Sequence, residues 1–135
     1  MKKLLSILCC AVILLSVSSC TKQYVTQETN LNKTITANLT SSNWTLTDPT
    51  IGVSYQASIN APIDKASAQL DGFVVSISYD GGQTFEQLPE AYGNLSYSYT
   101  YNAGNVTIYA QTPDGATAVK PTDPMIVKIV VVYSN

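Results

Sequence analysis

Histidine and arginine are both absent from this 135-residue sequence. Without histidine, the chain cannot assemble a Ser-His-Asp or Cys-His nucleophile system of its own. Seven lysines stand against nine carboxylates, which gives a formal charge of −2. Because proteins hold phosphate with clustered basic side chains, this balance excludes a nucleic-acid partner. It also excludes a polybasic attachment to anionic lipid.

Cysteine is scarce as well, and its three positions all lie near the N-terminus. Lys2 and Lys3 precede an apolar run, 4–15, that is well short of the roughly 20 residues a spanning helix needs. This pattern is typical of a secretory signal peptide, here residues 1–19. It ends in Val-Ser-Ser-Cys, 17–20, which resembles the bacterial lipobox. That resemblance implies that Cys20 becomes the first mature residue and carries the lipid.

Cleavage at that point would remove Cys9 and Cys10, so the mature chain would have neither a disulfide nor a cysteine metal site. The alternative is an ordinary signal peptide that leaves Cys20 as a free thiol. The polar run that follows, residues 20–33, is interpreted as a flexible tether. Tyr24 and Val25 leave open a first strand of the sheet in its place.

From residue 34 to 135 the sequence reads as one domain of short strands separated by turn residues. Thr, Ser, Asn, Tyr and Val are abundant and charged residues are few, which favours strands over helices. The segment 63–71 is different, because Ile63, Ala66 and Leu70 recur at helical spacing after Pro62. We therefore predict an all-β, antiparallel, two-sheet immunoglobulin-like sandwich with one short helix. The eight predicted strands are 34–39, 44–47, 51–59, 73–79, 84–88, 94–101, 105–111 and 125–133.

The stretch Ser-Tyr-Asp-Gly-Gly-Gln-Thr-Phe, 78–85, matches the Asp-box pattern S-x-D-x-G-x-T-[WF]. The pattern is best known from sialidase propellers, but one copy in so short a chain cannot make a propeller. The arginines that grip a sialidase substrate are also missing. We interpret the match as a hairpin turn in which Asp80 bonds the following amides, Gly81 or Gly82 takes the positive φ, and Phe85 packs on the core.

A wider resemblance covers residues from about 43 to the end. It consists of the order Tyr-Gln-Ala-Ser-Ile-Asn-Ala-Pro (55–62), a short helix, Gly-Phe-Val-Val-Ser-Ile-Ser-Tyr (72–79), Phe-Glu-Gln-Leu-Pro (85–89) and the closing run 126–132. These segments are similar to small β-sandwich lipoproteins of unknown function that are common in Bacteroidetes. The resemblance implies a fold and an envelope location, and it carries over no catalytic residue.

Three tyrosines form the main candidate binding surface. Strand alternation places Tyr97, Tyr99 and Tyr101 on one face, with Ser96, Ser98 and Thr100 on the other. Amphipathic rings suit a wet binding surface for sugars or proteins. The simpler alternative is that the three rings form the core side of an ordinary strand.

Carboxylates are the remaining candidates. Glu86, Glu90, Asp64 and Asp71 supply the pool from which a glycosidase would draw its two acids, but their spacing selects no pair. Asp80 and Asp114 have the oxygen ligands that calcium takes, yet each precedes glycine and is better explained as a turn former. We therefore assign no catalytic residue, no metal site and no cofactor.

These observations predict a lipid-anchored, non-enzymatic β-sandwich of the cell envelope with a binding or accessory role. Its partners would be the membrane, through the lipid, and a glycan or an envelope protein. Thr21 does not resemble the aspartate of inner-membrane retention, which favours the outer membrane. The first acid is Glu28, far behind Cys20, which favours the periplasmic face over the cell surface. The alternatives are a fimbrillin-like pilus or adhesin accessory subunit and a glycan-active enzyme.

Overall fold

The computed structural model describes residues 32–47 and 53–134, which form two antiparallel β-sheets packed against each other. Sheet A has the strand order β1-β9-β4-β5 and sheet B the order β2-β3-β8-β7-β6. The predicted all-β, antiparallel two-sheet sandwich is therefore confirmed. The strands are β1 (Lys33–Leu39), β2 (Thr45–Leu46), β3 (Tyr55–Asn60), β4 (Gly72–Ser78), β5 (Glu86–Gln87), β6 (Glu90–Tyr92), β7 (Leu95–Asn102), β8 (Asn105–Gln111) and β9 (Met125–Val132).

The signal peptide, Cys20 and residues 20–31 of the predicted tether lie outside the described residues, as do 48–52, which include the start of the strand predicted from Ile51. Within the described residues, no helix is long and apolar enough to cross a membrane.

Strand β9 is the centre of sheet A. Its sequence, Met-Ile-Val-Lys-Ile-Val-Val-Val, is apolar on both faces except at Lys128, as expected of a strand with neighbours on both sides. It pairs with β1 from Lys33↔Val131 to Leu39↔Met125, and with β4 from Gly72↔Val132 to Ser78↔Ile126. The central position of β9 in sheet A therefore follows from its composition.

The core lies between the sheets and is built from alternate residues of the paired strands. Sheet A contributes its inward rows from β4 and β9, and sheet B contributes those of β3, β7 and β8. Burial of these apolar side chains is the main stabilising contribution. The most completely buried large side chains are Val75, Ile77, Leu88, Val106, Ile108, Val127 and Ile129.

One short helix, α1 (Lys65–Leu70), carries the chain from sheet B to sheet A. Asp64 caps it, because its Oδ1 accepts the backbone N–H of Ser67 at 2.7 Å. The helix lies inside the predicted segment 63–71. Asp71, which follows the helix, accepts the backbone N–H of Ser134 at 3.0 Å and so ties the end of the chain to the helix.

The two ends of the sandwich are named by their distance from the start of β1. We call the end where β1 begins, near Lys33, Gly72 and Asn102, the proximal end, and the end where β1 stops, near Leu39 and Ser78, the distal end. Seven strand residues separate the two, a distance of roughly 20 Å.

Strand β6 was not predicted. It is only three residues long, and it forms a hairpin with β7 through the two residues Gly93 and Asn94, whose φ angles are 58° and 65°. Two positive φ angles in a two-residue loop are the geometry of a type I′ turn. The hairpin exists because its turn is favourable, although its first strand is too short to show a periodic pattern.

Candidate functional site

The Asp-box segment forms a tight loop at the distal end, just after β4. Asp80 Oδ1 accepts hydrogen bonds from the Ser78 hydroxyl at 2.7 Å, the Thr84 amide at 2.9 Å and the Gln83 amide at 3.0 Å. The Ser78 hydroxyl in turn accepts the Gly82 amide at 2.9 Å. The Thr84 amide, followed by the Ser78 hydroxyl, holds the pKa of Asp80 well below its usual range. The Asp80 carboxylate therefore stays ionised and stabilises the loop in which it lies.

Gly81 and Gly82 have φ angles of 75° and 92°, in the left-handed region. Phe85, however, does not pack on the core as the sequence had suggested. Glu86 pairs with Ile77 and shares its inward side, so the preceding residue, Phe85, points to the outer face of sheet A. There its ring lies 3.8 Å from the Lys128 ammonium, in a cation–π contact.

The three predicted tyrosines do not form one exposed surface. Tyr97 belongs to the core, with 4% of its surface exposed, and Tyr99 is half-buried. Only Tyr101, at 38%, is exposed. The reason is positional, because all three face sheet A from an inner strand of sheet B and each lies nearer the proximal end than the one before it. Tyr101, the last of them, lies beyond the centre of the core. A joint platform of the three rings is therefore excluded.

At the proximal end the tyrosines close the structure. The Tyr99 hydroxyl donates to the Phe73 carbonyl oxygen at 2.8 Å, which joins sheet B to the edge of β4. Tyr101 covers the Phe73 ring with centroids 4.1 Å apart. Phe73 pairs with Val131 of β9 on one side, but β5 pairs only with Ser76 and Ile77, so the other side of β4 has no strand at Phe73. Tyr99 therefore satisfies a carbonyl that would otherwise be an open edge.

The distal end contains a different arrangement, a row of four aromatic rings that runs from the surface into the core. Tyr92, 42% exposed, stacks on Tyr79 with centroids 3.8 Å apart and an interplanar angle of 13°. Tyr79 lies 6.4 Å from Tyr97, and Tyr97 lies 6.2 Å from Trp44 in an edge-on contact. The row joins four separate parts of the chain: β6, the loop after β4, β7 and the residue before β2.

Trp44 is the buried end of this row, with 2% of its surface exposed. Its indole Nε1 has no hydrogen-bond partner, which is uncommon for a buried donor. The ring is thus held by packing against its neighbours rather than by a polar contact.

Two carboxyl groups meet beside the exposed rings. The Tyr79 hydroxyl donates to Glu90 Oε1 at 3.3 Å, and the Glu86 side chain lies nearby. Burial, followed by the hydrogen-bonding effect and the charge of the neighbouring Glu86, raises the pKa of Glu90 from 4.5 to about 7. Burial also raises the pKa of Tyr79 far above its usual range. Glu90 is therefore protonated in part of the molecules near neutral pH.

The remaining acids of the sequence-predicted pool have local structural roles. Asp64 caps α1 and Asp71 holds Ser134, as described above. Asp114 Oδ1 accepts from the Thr112 hydroxyl at 2.7 Å and the Ala116 amide at 3.1 Å, so it shapes its own turn. Among the described residues, no group of three or more acidic, histidine or cysteine side chains could hold a metal ion.

Three clefts lie close together at the distal end and have lining residues in common. The first, about 200 Å³, lies between the Asp-box loop and β6, and its walls include Ile77, Tyr79, Asp80, Glu86 and Tyr92. The second, also about 200 Å³, has Tyr79 in common with the first and is also lined by Leu39, Pro124, Met125 and Ile126. The third, about 100 Å³, has Tyr92 in common with the first and is also lined by Leu95, Tyr97, Lys120 and Asp123. We call this set of neighbouring clefts the distal groove.

The two rings that define this groove, Tyr79 and Tyr92, were not predicted as site residues. Tyr79 was assigned only to the end of a strand, and Tyr92 to no element. The signal for Tyr92 was present, since Gly93-Asn94 is a pair typical of two-residue hairpin turns and places Tyr92 opposite Leu95. The stack of Tyr79 on Tyr92 joins residues 13 positions apart through contacts of both sheets, and no local pattern shows it.

The fold and groove define an all-β, two-sheet sandwich with an aromatic groove at one end. No protein-family model, no curated protein and no solved structure matches the chain.

Proposed function

We propose that this protein is a lipid-anchored, non-enzymatic binding or accessory protein of the cell envelope that holds its partner in the distal groove. The observation that carries the proposal is the row of rings that exposes Tyr92 between two neighbouring clefts, both of which it lines. A stacked ring pair with polar groups beside it is a pre-formed contact surface, because its geometry is set by the core below. The partner would be an envelope glycan or protein.

The position of the groove supports this role. Cys20, the proposed lipid attachment site, precedes Lys33 in the chain, and Lys33 begins β1 at the proximal end. The groove lies at the opposite end, roughly 20 Å away along the strand. In an anchored protein, the chain coming from the membrane would therefore join the domain at its proximal end, and the groove would lie at the distal end. The outer membrane, with the domain on the periplasmic face, remains the proposed location.

The carboxyl pair supports binding over glycoside hydrolysis. A glycosidase places its two acids on opposite sides of the scissile bond, about 5 to 10 Å apart. Glu86 and Glu90 are instead close neighbours, since the charge of Glu86 raises the pKa of Glu90, and Glu90 already accepts the Tyr79 hydroxyl. We therefore propose that Glu86 forms part of the groove wall and that Glu90 supports Tyr79.

Two measurements test the proposal separately. Metabolic labelling with an alkyne fatty acid should tag the wild-type protein and not Cys20→Ser, and only the wild type should sediment with membranes. For binding, the mature chain carrying Cys20→Ser should retain a specific component of envelope extracts, glycan or protein, and Tyr92→Ala should lose it. Equal retention by Tyr92→Ala and its parent would exclude the distal groove as the site.

A second candidate role is the fimbrillin-like accessory subunit, and one observation favours it. Strand β1 lies at the edge of sheet A with seven residues and no charge after Lys33, whereas the other edges of the described sheets, β2, β5 and β6, have only two or three residues. A long neutral edge is suited to accept a strand from another subunit. Multimers that survive heating in SDS would support this role, and a purely monomeric membrane protein would exclude it.

A further inference from the structure

The charged side chains around the distal groove are mostly acidic. Asp80, whose Oδ1 accepts three hydrogen bonds within its own turn, keeps its negative charge. Glu86 lines the same cleft, and the third cleft is lined by Asp123 and Lys120. Three acidic side chains against one lysine repel an anionic ligand, and their oxygens can accept hydrogen bonds from the hydroxyls of an uncharged ligand.

The exposed ring sets the second requirement. Tyr92 is backed by Tyr79 in a nearly parallel stack, so its orientation is fixed before a ligand arrives. The negative face of an aromatic ring attracts C–H groups, which carry a small positive charge. A ligand that fits has a flat face of C–H bonds and a rim of hydroxyls, which is the chemistry of a pyranose sugar. Its hydroxyls would meet the carboxyl oxygens of Asp80 and Glu86 beside the ring.

The shape of the groove sets the third requirement. Its clefts, of about 200, 200 and 100 Å³, are each small, but neighbouring clefts have Tyr79 or Tyr92 in common. A protein partner would need a patch of about 800 Å² per side, with deep apolar anchor sites. A chain of small repeating units fits a set of neighbouring small clefts better, with one unit in each.

We infer that the distal groove binds an uncharged glycan chain, with one sugar ring stacked on Tyr92 and the neighbouring units in the flanking clefts. This inference rests on the proposed binding function and narrows its ligand to one chemical class. Anionic sugars are disfavoured because Lys120 is the one basic side chain of the groove lining described above and Asp123 lies in the same cleft. A basic peptide is the competing ligand that the experiment has to separate.

The test is isothermal titration calorimetry on the mature chain carrying Cys20→Ser. The probes are neutral tetrasaccharides to hexasaccharides of glucose, mannose and N-acetylglucosamine, the anionic oligogalacturonates of equal length, and an oligolysine peptide. The variants are Tyr92→Ala, Tyr92→Phe and, as the matched control, Tyr101→Ala. Tyr101 is a tyrosine of similar exposure at the opposite end of the sandwich.

We expect at least one neutral probe to bind, with affinity that rises with chain length. Tyr92→Ala should weaken it about tenfold or more, because the stacking surface is removed. Tyr92→Phe, which keeps the ring and the fold, should retain most of the affinity, and Tyr101→Ala should bind like the parent. NMR shift changes on titration should centre on Tyr92 and Glu86.

Four results would overturn the inference. They are binding of only the anionic probe, binding of only the oligolysine, neutral binding that Tyr92→Ala leaves intact, and the absence of neutral binding. None of these by itself removes the proposed binding function, because retention of an envelope component lost in Tyr92→Ala is measured independently. If that retention also fails, both proposals are wrong.

Discussion

The two ends of the sandwich use the same residue type for opposite purposes. At the proximal end, Tyr99 directs its hydroxyl to the Phe73 carbonyl and Tyr101 covers the Phe73 ring. At the distal end, Tyr79 directs its hydroxyl to Glu90, and its ring supports the exposed Tyr92. One end is sealed by backbone bonding, while the other leaves a ring face and carboxyl groups open to a ligand. The same side chain therefore has two roles, depending on the partner of its hydroxyl. A tyrosine bonded to a backbone carbonyl closes the proximal end, and one bonded to a carboxyl group supports an exposed ring at the distal end.

The largest expected effect breaks the distal end. Changing both Gly81→Val and Gly82→Val forces β-branched residues to φ angles of 75° and 92°. A Cβ at Gly82 would lie at an ordinary contact distance of 3.6 Å from Ile126 Cδ1, so the expected loss comes from the positive φ angles. We expect a loss of about 2 to 4 kcal/mol in the free energy of unfolding, measured by urea denaturation.

The matched control for the glycines lies at the proximal end. Gly72 has an ordinary strand conformation, and a Cβ there would make normal contacts of 3.7 to 3.8 Å with Val132. Gly72→Val should therefore change stability little. If the double variant melts like its parent, the hairpin interpretation of residues 78–85 is wrong.

The next effect opens the proximal end. Tyr99→Phe removes the hydroxyl that bonds the Phe73 carbonyl at 2.8 Å and leaves that carbonyl without its partner. We expect a loss of about 1 to 2 kcal/mol in the free energy of unfolding. Tyr92→Phe, at the distal end, should cost much less, because Tyr92 acts through its ring. Equal losses of unfolding free energy in Tyr99→Phe and Tyr92→Phe would show that the two hydroxyls do not differ in their structural role.

The smallest expected effect is the pH dependence of stability that Glu90 causes at the distal end. The pKa of Glu90 rises from 4.5 to about 7 on folding, so ionisation is harder in the folded protein than in the unfolded chain. Its contribution to stability is full below pH 4.5 and is lost as the pH rises through 7. Glu90→Gln should remove this loss and be more stable than the parent above pH 7, by about 1 kcal/mol after solvent screening.

The control for Glu90→Gln is measurement below pH 4.5, where the variant and the parent should have similar stability. Asp80 titrates in a different window, since its lowered pKa gives stability above its usual pKa of 3.8 that is lost as the pH falls below it. A Glu90→Gln curve parallel to that of the parent between pH 4.5 and 8 would show that the pKa of Glu90 is not raised in the folded protein.

Much of the fold could be predicted because it depends on local patterns. The apolar β9 had to be a central strand, and the Pro62 start with helical spacing marked α1. Asp80 followed by two glycines marked a turn. These features are written in residues that are close together in the chain.

The site could not be predicted in the same way, because it depends on pairing between distant strands. Alternation correctly placed Tyr97, Tyr99 and Tyr101 on one side of β7, but it could not show how far each ring lies from the end of the sandwich. Phe85 was assigned to the core because the register of Glu86 with Ile77, which turns it outward, is a tertiary property. Tyr79 and Tyr92 meet for the same kind of reason.

Trp44 is an intrinsic fluorescence reporter at the distal end. It is the single tryptophan of the sequence, and its indole is buried without a hydrogen-bond partner. Its fluorescence should therefore be blue-shifted in the folded state and red-shifted on unfolding. The ring row from Tyr92 through Tyr79 and Tyr97 brings tyrosine excitation close to it. Emission excited at tyrosine wavelengths can thus register occupation of the groove in the unmodified chain, without an attached dye.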